Sequence, residues 1–473
     1  MFLRSCLVLF FCSLVWGCSP FAPQGPELEP VALPEDFSLD YQGTQMLDNW
    51  WESWESPDLN KLVQEALDEN FDIRSAWARL RQAQALAERA GAELWPEASL
   101  QGSLERTRTY QGQELVRDNE SSSLGIQAGY ELDLWGRIES KQEARRLEAR
   151  AAYEDVQAAA ASIAAEVVEA WVEVLALEQE ILVLQEQIRI NQDLLSSQVL
   201  RLEKGMGTGL DVTRQKEVLA SSRADLPKLQ SQKRLALHRL AVLTGRADPA
   251  GLRITARGLP RPVPRPEAGV PADLLESRPD VRSAYLRLAS SGWDVAQAKA
   301  NRLPQLDISA RGALSSEELS PAWGDWLYRL GADLSATIFD AGYRQAEVQR
   351  VIAEEQEQLA DYVGVVLEAV QEVQDALARE KGQEQRISRL KEELQAARQA
   401  KDQARLRYIK GQGDYLDFLT QLRSVQDLER RLVTSRADLL EYRISLYRAL
   451  GGGLQKTEGR GQRTEVRGQG TED

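Results

Sequence analysis

Two short segments concentrate the residues able to do chemistry. Lys204-Gly205-Met206-Gly207-Thr208-Gly209-Leu210-Asp211 and Lys410-Gly411-Gln412-Gly413-Asp414-Tyr415-Leu416-Asp417 share a glycine-x-glycine core followed by a carboxylate, at an offset of 206 residues. Glycines at this density cradle a phosphate when a strand leads in and a helix leads out. No strand-like run precedes either segment, and Tyr415 stands where Gly209 lies, so a nucleotide loop is the poorer reading. Reversal of the chain between two helices needs the same glycines, because positive φ costs glycine little, and Gly205, Gly207, Gly411 and Gly413 are assigned that role. Asp211 and Asp417 fall at the start of the following helix, where a carboxylate caps exposed N–H groups. The alternative of equal weight is a ring of like charges in a symmetric assembly, holding a constriction shut or attracting cations. Asp414, Tyr415 and Arg423 are further candidates at this place.

Little else in the chain could be catalytic. The one histidine, His238, lies within a helical pattern and far in sequence from any paired nucleophile. The cysteines are Cys6, Cys12 and Cys18, all near the N-terminus, so no cysteine metal site or disulfide framework is expected. Acidic residues alternate with Lys and Arg at spacings of three and four, as on solvated helix faces. No catalytic residues, metal ligands or cofactor are therefore expected. The net charge of −15 leaves no basic excess to neutralise phosphates, which argues against nucleic acid as a partner.

The N-terminus carries a different kind of chemistry. Met1–Arg4 is a short positive start and Leu7–Gly17 an apolar stretch, too short for a spanning helix and typical of a signal peptide over 1–17. Leu14-Val15-Trp16-Gly17-Cys18 resembles a lipobox, so Cys18 is the expected lipidation site and the covalent lipid the only attached group. Ser19 stands where aspartate would mark inner-membrane retention in bacterial lipoproteins, which points to the outer membrane. Residues 18–56 then form a lipidated N-terminal segment.

These segments must be positioned by something, and the sequence shows what. Phe71-Asp72-Ile73-Arg74-Ser75-Ala76-Trp77 recurs as Pro279-Asp280-Val281-Arg282-Ser283-Ala284-Tyr285, and Pro96 recurs as Pro304. The chain is two tandem repeats, 57–247 and 271–451, joined by a proline-rich linker over 248–270 and followed by a glycine-rich, charged tail over 452–473 expected to be disordered. Each repeat opens with a helical stretch, about 57–94 and 271–303. Two segments of period-two alternation follow, at about 97–106 and 123–134, then 305–314 and 328–339. Very long helical patterns run over about 138–204 and 344–410 without proline and end at the glycine turns. A return helix completes each copy, interrupted by Pro227 in the first.

Alternating runs near ten residues suit tilted strands that span a membrane, apolar to lipid and polar to a wet lumen, although a half-buried strand of a soluble sheet alternates in the same way. Helices of some 65 residues reach roughly 100 Å, which means coiled-coil packing. Four membrane strands cannot close on themselves, so several copies must share a barrel of 8, 12 or 16 strands. The expected fold class is an α+β membrane protein, a β-barrel with four strands per chain continued by a long periplasmic α-helical barrel.

At this point a resemblance becomes specific. Asn49-Trp50-Trp51, Pro57-Asp58-Leu59, Ala66-Leu67 and Asn70, with the junctions Tyr130-Glu131-Leu132-Asp133-Leu134-Trp135-Gly136-Arg137 and Ile338-Phe339-Asp340-Ala341-Gly342-Tyr343-Arg344, resemble the TolC-type outer-membrane efflux family and, with Cys18, its lipoprotein (NodT-like) branch. The resemblance covers about 46–453. It implies a homotrimer of twelve strands in outer-membrane lipid, acting as the exit duct for an inner-membrane pump of the RND type or another class, reached through a periplasmic adaptor (membrane fusion) protein. In the family, acids of the second hairpin line the periplasmic gate. Asp417 matches the first of these, but Thr420 stands where the second is expected. The glycine turns would then form the tips that meet the adaptor. The competing readings are a periplasmic coiled-coil scaffolding lipoprotein without a pore and a hydrolase of envelope polymers.

Overall fold

The computed structural model describes residues 19–23, 34, 37, 43, 49–316 and 325–452. The expected signal peptide over 1–17, the expected lipidation site Cys18, most of the expected segment over 18–56 and the tail from 453 lie outside the described residues. The labelled elements are α1 (Pro57–Glu69), α2 (Phe71–Ala92), β1 (Glu97–Gln111), β2 (Glu114–Leu132), α3 (Arg137–Glu203), α4 (Gly209–Leu243), α5 (Pro279–Ala300), β3 (Gln305–Ser316), β4 (Asp325–Ser335), α6 (Tyr343–Ile409) and α7 (Tyr415–Ala449). The chain divides into two compact units, residues 1–31, 78–154 and 282–365, and residues 32–77, 155–281 and 366–473. Each unit draws on both halves of the sequence.

The first unit holds the four-stranded sheet, antiparallel throughout and in the order β1-β2-β3-β4. The β1–β2 hairpin runs well past the expected ends at 106 and 123, up to a tight turn with Gly112 at φ 69°. Apolar alternation stops there, but charge pairing takes over. Arg106 meets Asp118 at 2.8 Å and Glu120 at 2.9 Å, and Arg108 meets Asp118 at 3.2 Å. Cross-strand pairs of opposite sign hold a ladder without any buried face. β4 differs the other way, lying over 325–335 rather than 328–339. Its last partner is Gln305, and the residue before that is Pro304, which has no N–H to extend the ladder, so 336–339 have no strand to pair with. Beside the sheet, α3 and α5 approach closely through small residues. Ser283 and Ser290 donate to the Ala151 and Ala144 carbonyls at 3.1 and 3.0 Å, and Arg282 pairs with Glu154 at 2.6 Å.

The second unit is helical. Its core gathers Trp50, Leu59, Leu62 and Val63 against Val167, Val168, Trp171 and Leu175 of α3, Leu240 of α4, and Leu440, Ile444 and Tyr447 of α7. Trp50 stacks on Tyr447 with ring centroids 4.8 Å apart. The leading helical stretch is two helices rather than one, because Asn70 leaves the helical conformation at ψ 133° and caps the next helix. Its Oδ1 accepts from the Asp72 and Ile73 amides at 2.8 and 3.2 Å, while its Nδ2 donates to the Leu243 carbonyl at the end of α4 at 3.0 Å. Arg278 does the corresponding work 208 residues on, also extended at ψ 121°, donating to the Ala449 carbonyl at the end of α7 at 3.0 Å. Different side chains thus solve the same problem, the orphan carbonyls of a return helix.

Pro227 does not interrupt α4, which runs through it. A proline removes one ladder bond and bends a helix, and packing on neighbours keeps the two halves continuous. The linker is also more than a tether. Trp54 Nε1 donates to the Arg261 carbonyl at 2.7 Å, Tyr447 Oη to the Pro264 carbonyl at 3.0 Å, and Val263 is buried.

Candidate functional site

The sheet has two chemically distinct faces. One carries the register rows Leu132–Leu306–Leu334, Tyr130–Ile308–Ala332, Ala128–Ala310–Leu330, Ile126–Gly312–Tyr328 and Leu124–Leu314–Trp326, with Leu100 and Leu104 on β1. The other carries Glu131–Asp307–Asp333, Gln127–Arg311–Arg329 and Ser123–Ser315. A soluble sheet would bury the apolar face, yet Leu100, Ile126, Trp326, Leu330 and Leu334 are all more than 60% exposed. Ten residues of β2 separate Leu132 from Ser122, the partner of Leu104. That is about 33 Å along the strand. At the tilt of membrane barrels it becomes roughly 25 Å of height, the apolar band such barrels present to lipid. Trp326 and Tyr328 stack at 5.8 Å on this face, as aromatic girdles do at an interface. Among the described residues β1 and β4 each leave one edge unpaired. Bare edges are not tolerated in hydrocarbon, so these edges must meet other chains. No described helix is long and apolar enough to cross a membrane.

Two junctions turn strands into helices with the same device. Asp133 accepts from the backbone amides of Arg137, Ile138 and Glu139 at 2.7, 2.9 and 2.8 Å, satisfying three orphan donors of α3 at once. Gly136 takes φ 70°, and Arg137 grips Glu131 through two bonds of 3.0 and 2.6 Å. Asp340 likewise accepts from Gly342 and Arg344 at 3.0 and 3.2 Å, with Gly342 at φ 89°. Asp133→Ala is expected to lower stability by about 1–2 kcal/mol, with Asp133→Asn losing less, measured by thermal unfolding in detergent.

The glycine turns lie in the helical unit. Met206 N–H donates to Arg201 O at 2.8 Å and Gly205 N–H to Leu202 O at 3.0 Å; Gln412 to Arg407 at 2.8 Å and Gly411 to Tyr408 at 3.1 Å repeat the pattern. Both are Schellman caps. Gly205 and Gly411 have φ 69° and 70°, so they meet the expectation of positive φ. Gly207 and Gly413 do not. There the constraint is space, since a Cβ on either would lie 3.3 Å from the Arg201 or Arg407 Cβ.

The titratable candidates separate clearly. Asp211 is the capping-box residue of α4, accepting from Thr208 Oγ1 at 2.7 Å while its own N–H donates to that hydroxyl at 3.2 Å. Asp414 and Asp417 are exposed, and their carboxylates make no hydrogen bond or ion pair with a described residue. Thr420 bonds only its own helix, donating to Leu416 O at 2.8 Å. Arg423 reaches Glu217 of α4 at 3.7 Å in an exposed pair. Tyr415 is not on an open surface: it is 2% exposed, packed on Tyr408 and Phe418, and donates to Gln215 Oε1 at 2.6 Å. Burial pushes its phenol well above the usual tyrosine range.

Tyr415 is the end of a network that sequence reasoning missed. Gln215 donates to the Asn191 carbonyl at 2.8 Å, Asn191 Nδ2 to Gln426 Oε1 at 3.3 Å, and Gln187 Nε2 to the Gln426 carbonyl at 2.9 Å. All four amides are buried, so the two hairpins are tied by polar bonds from the tip inward. The one sequence signal was Gln187 and Asn191 lying among the apolar positions of a helix stripe. Further along, Glu441 of α7 sits with Asp438 of its own helix, Glu169 and Glu173 of α3 and Arg239 of α4. Burial, more than these neighbours, raises its carboxyl to about 7. The folded state therefore holds a proton that the unfolded chain, with a carboxyl near 4.5, releases. That contribution to stability is complete below about 4.5 and lost as pH rises to about 7. Urea midpoints measured from pH 5 to 8 are expected to fall in the native protein and to fall less in Glu441→Gln.

Among the described residues no group of three His, Cys, Asp or Glu side chains could hold a metal ion. Comparison with known proteins agrees with the geometry. The family model for outer membrane efflux proteins matches twice, over residues 62–246 and 270–452. The pyoverdine export outer membrane protein OpmQ of Pseudomonas aeruginosa is 33% identical over 423 residues, covering 86% of this chain and 87% of that one. The structure of the outer-membrane channel OprN superposes with a TM-score of 0.80 at 28% identity, over 90% of this chain and 98% of that one. The CmeC outer membrane channel of Campylobacter jejuni, at 20% identity and a TM-score of 0.84 over 95% of this chain and 98% of that one, shares the fold. These structural neighbours are trimeric channels with a β-barrel and a long helical barrel, the class to which four strands and two long hairpins belong. Relatives are efflux channels rather than enzymes. By its duplicated helix–hairpin–hairpin unit, its lipid-facing sheet and these matches, the chain is a member of the outer membrane efflux protein family.

Proposed function

We propose that this protein is the outer-membrane exit duct of a tripartite export system, a homotrimer that conducts passively what an inner-membrane pump delivers through a periplasmic adaptor. The observation that carries this reading is the open four-stranded sheet, apolar and exposed on one face, polar on the other, and unpaired at both edges. Three copies give twelve strands, enough for a water-filled bore. The helical hairpins then form the periplasmic stem, with the glycine turns at the tips meeting the adaptor.

Lipid anchoring through Cys18 is supported by the residue after it. A Cβ on Gly136 would collide with the Ser19 side chain, so Ser19 rests against the strand-to-helix junction. Exposed Trp95, Ile338 and Phe339 belong to the same unit, as suits the periplasmic edge of the bilayer. Acyl chains on the preceding residue would enter the inner leaflet there. The gate is assigned to the exposed Asp417 and Asp414 around the tips, with Asp211 and Tyr415 holding the hairpins in place and Arg423 bridging them.

Planar bilayers with the purified protein test the duct. Stepwise ion conductance that rises in Asp417→Ala is expected. A trimer that never conducts, with or without that substitution, would leave the scaffolding lipoprotein as the better reading.

A further inference from the structure

We propose that Arg311 and Arg329 form an anion-binding site on the lumen wall of the barrel, taking the carboxylate or phosphate groups of organic anions as they leave; this rests on the duct reading. The two arginines are direct partners in the β3–β4 register. Like charges facing each other across a strand pair are destabilising, and proteins normally relieve them with an acid. That remedy is visible on β1–β2, where Arg106 and Arg108 are held by Asp118 and Glu120. It is missing here. Both arginines are exposed, and neither makes a hydrogen bond or ion pair with a described residue.

Their surroundings suit an anion. The same register row continues through Gln127 and Ser99, which add amide and hydroxyl donors and no carboxylate. On β2–β4 the row on one side is Gly129, Ser309 and Gly331, and the row on the other is Gly125, Ala313 and Leu327. A Cβ on Gly129 would meet nothing within 4 Å, and the rows on either side of the arginines are made mostly of small residues. Each guanidinium can offer a carboxylate or phosphate two parallel N–H bonds.

Acids elsewhere on this face do not neutralise the pair. Asp307 and Asp333 face each other in their own row, four residues toward the helices. Four residues put the backbones about 13 Å apart, and although the Asp333 carboxyl leans toward the Gly331 row between them, neither acid makes an ion pair with either arginine. Glu97 lies one row away but on β1, two strands from Arg311, or roughly 10 Å sideways. The polar face therefore carries an acidic belt at its helix-proximal end and a cationic belt further out. Three copies would place six guanidinium groups around one section of the bore, a density that attracts multiply charged anions over chloride.

The experiment is conductance of the full-length protein in planar bilayers under a potassium chloride gradient, with citrate as the probe anion. Citrate is expected to block the native channel. In Arg311→Gln/Arg329→Gln the block should weaken about tenfold or more, as expected for lost charge-assisted bonds, with the reversal potential moving toward cations. Should that variant fail to assemble, Arg311→Lys/Arg329→Lys supplies the test: charge is retained, so the reversal potential should hold while citrate block weakens. Arg106→Gln/Arg108→Gln, on the lipid-facing side, should change neither. Conducting variants with unchanged citrate block overturn the site and leave the duct standing. A shift in reversal potential with unchanged block means attraction of chloride alone and also overturns it. Absence of conductance from the native protein and from Asp417→Ala removes the duct reading and the site with it.

Discussion

Glu380→Ala is expected to destabilise the helical unit by about 3–5 kcal/mol, among the largest losses any single substitution here should produce. Glu380 is 1% exposed and Arg443 is 3% exposed. The two meet through Arg443 Nε and Glu380 Oε2 at 3.1 Å, and Arg443 also donates to the Val263 carbonyl of the linker. Half-exposed Arg265 adds a bond to Glu380 at 3.1 Å from the solvent side. Removing the carboxylate leaves a guanidinium buried among helices with one carbonyl for company, and that desolvation is not repaid. Replacing both partners together by leucine should recover most of the loss, because the cost lies in the unpaired charge rather than in the missing attraction. Thermal unfolding of the single and double variants in detergent measures both. A single-variant loss under about 1 kcal/mol would mean that water reaches Arg443, contrary to its burial.

Tyr415 is the second position with a large expected effect, and there the readout is conductance. In Tyr415→Phe the ring stays but the buried Gln215 Oε1 loses its donor, a penalty of about 1–3 kcal/mol on this packing of the tip. On the gate proposed above, with this packing as its closed state, each 1.4 kcal/mol is about a tenfold change in the closed-to-open ratio, so open events should become roughly ten times more frequent. Tyr415→Ala also removes the ring packed on Tyr408 and Phe418, and its effect should be larger. Gln215→Leu also breaks the bond to the Asn191 carbonyl and should exceed Tyr415→Phe, and adding Tyr415→Phe to it should cost little more, because their shared bond is already gone. Channels as quiet as the native protein in a correctly folded Tyr415→Ala trimer would show that this pair does not hold the tip.

The parts of the molecule legible in the sequence are those whose cause is local. Glycine at a helix end with a second glycine two residues on marks a reversal because the backbone itself demands it, and Gly205 and Gly411 bear this out at φ 69° and 70°. Period-two alternation marked four strands because lipid and water impose it residue by residue. Where the cause is distant, the sequence was silent. Tyr415 was read as a candidate at the gate, but its partner Gln215 is 200 residues away, and only the packing of two hairpins reveals that the ring points inward. Nothing in the spacing of Glu380 and Arg443 separates them from the other helical charges, and only the linker, through the Val263 carbonyl and Arg265, marks them as a buried pair. Alternation alone ends the β1–β2 hairpin too early, because its outer part is held by charge rather than by apolar burial, and ends β4 too late, because Pro304, just before the neighbouring strand, decides where pairing stops.

The unpaired edges of the sheet have a consequence for how such a protein is made. A chain that brings a third of a barrel has no resting place in the bilayer by itself, since its edge amides and carbonyls would face hydrocarbon at several kcal/mol each. Insertion and oligomerisation are therefore expected to be one event, with the strands of a waiting precursor kept out of the hydrocarbon until its partners arrive. Its maturation should depend steeply on how many copies are synthesised at once, so a cell making too few would accumulate precursor rather than a proportionally smaller number of pores.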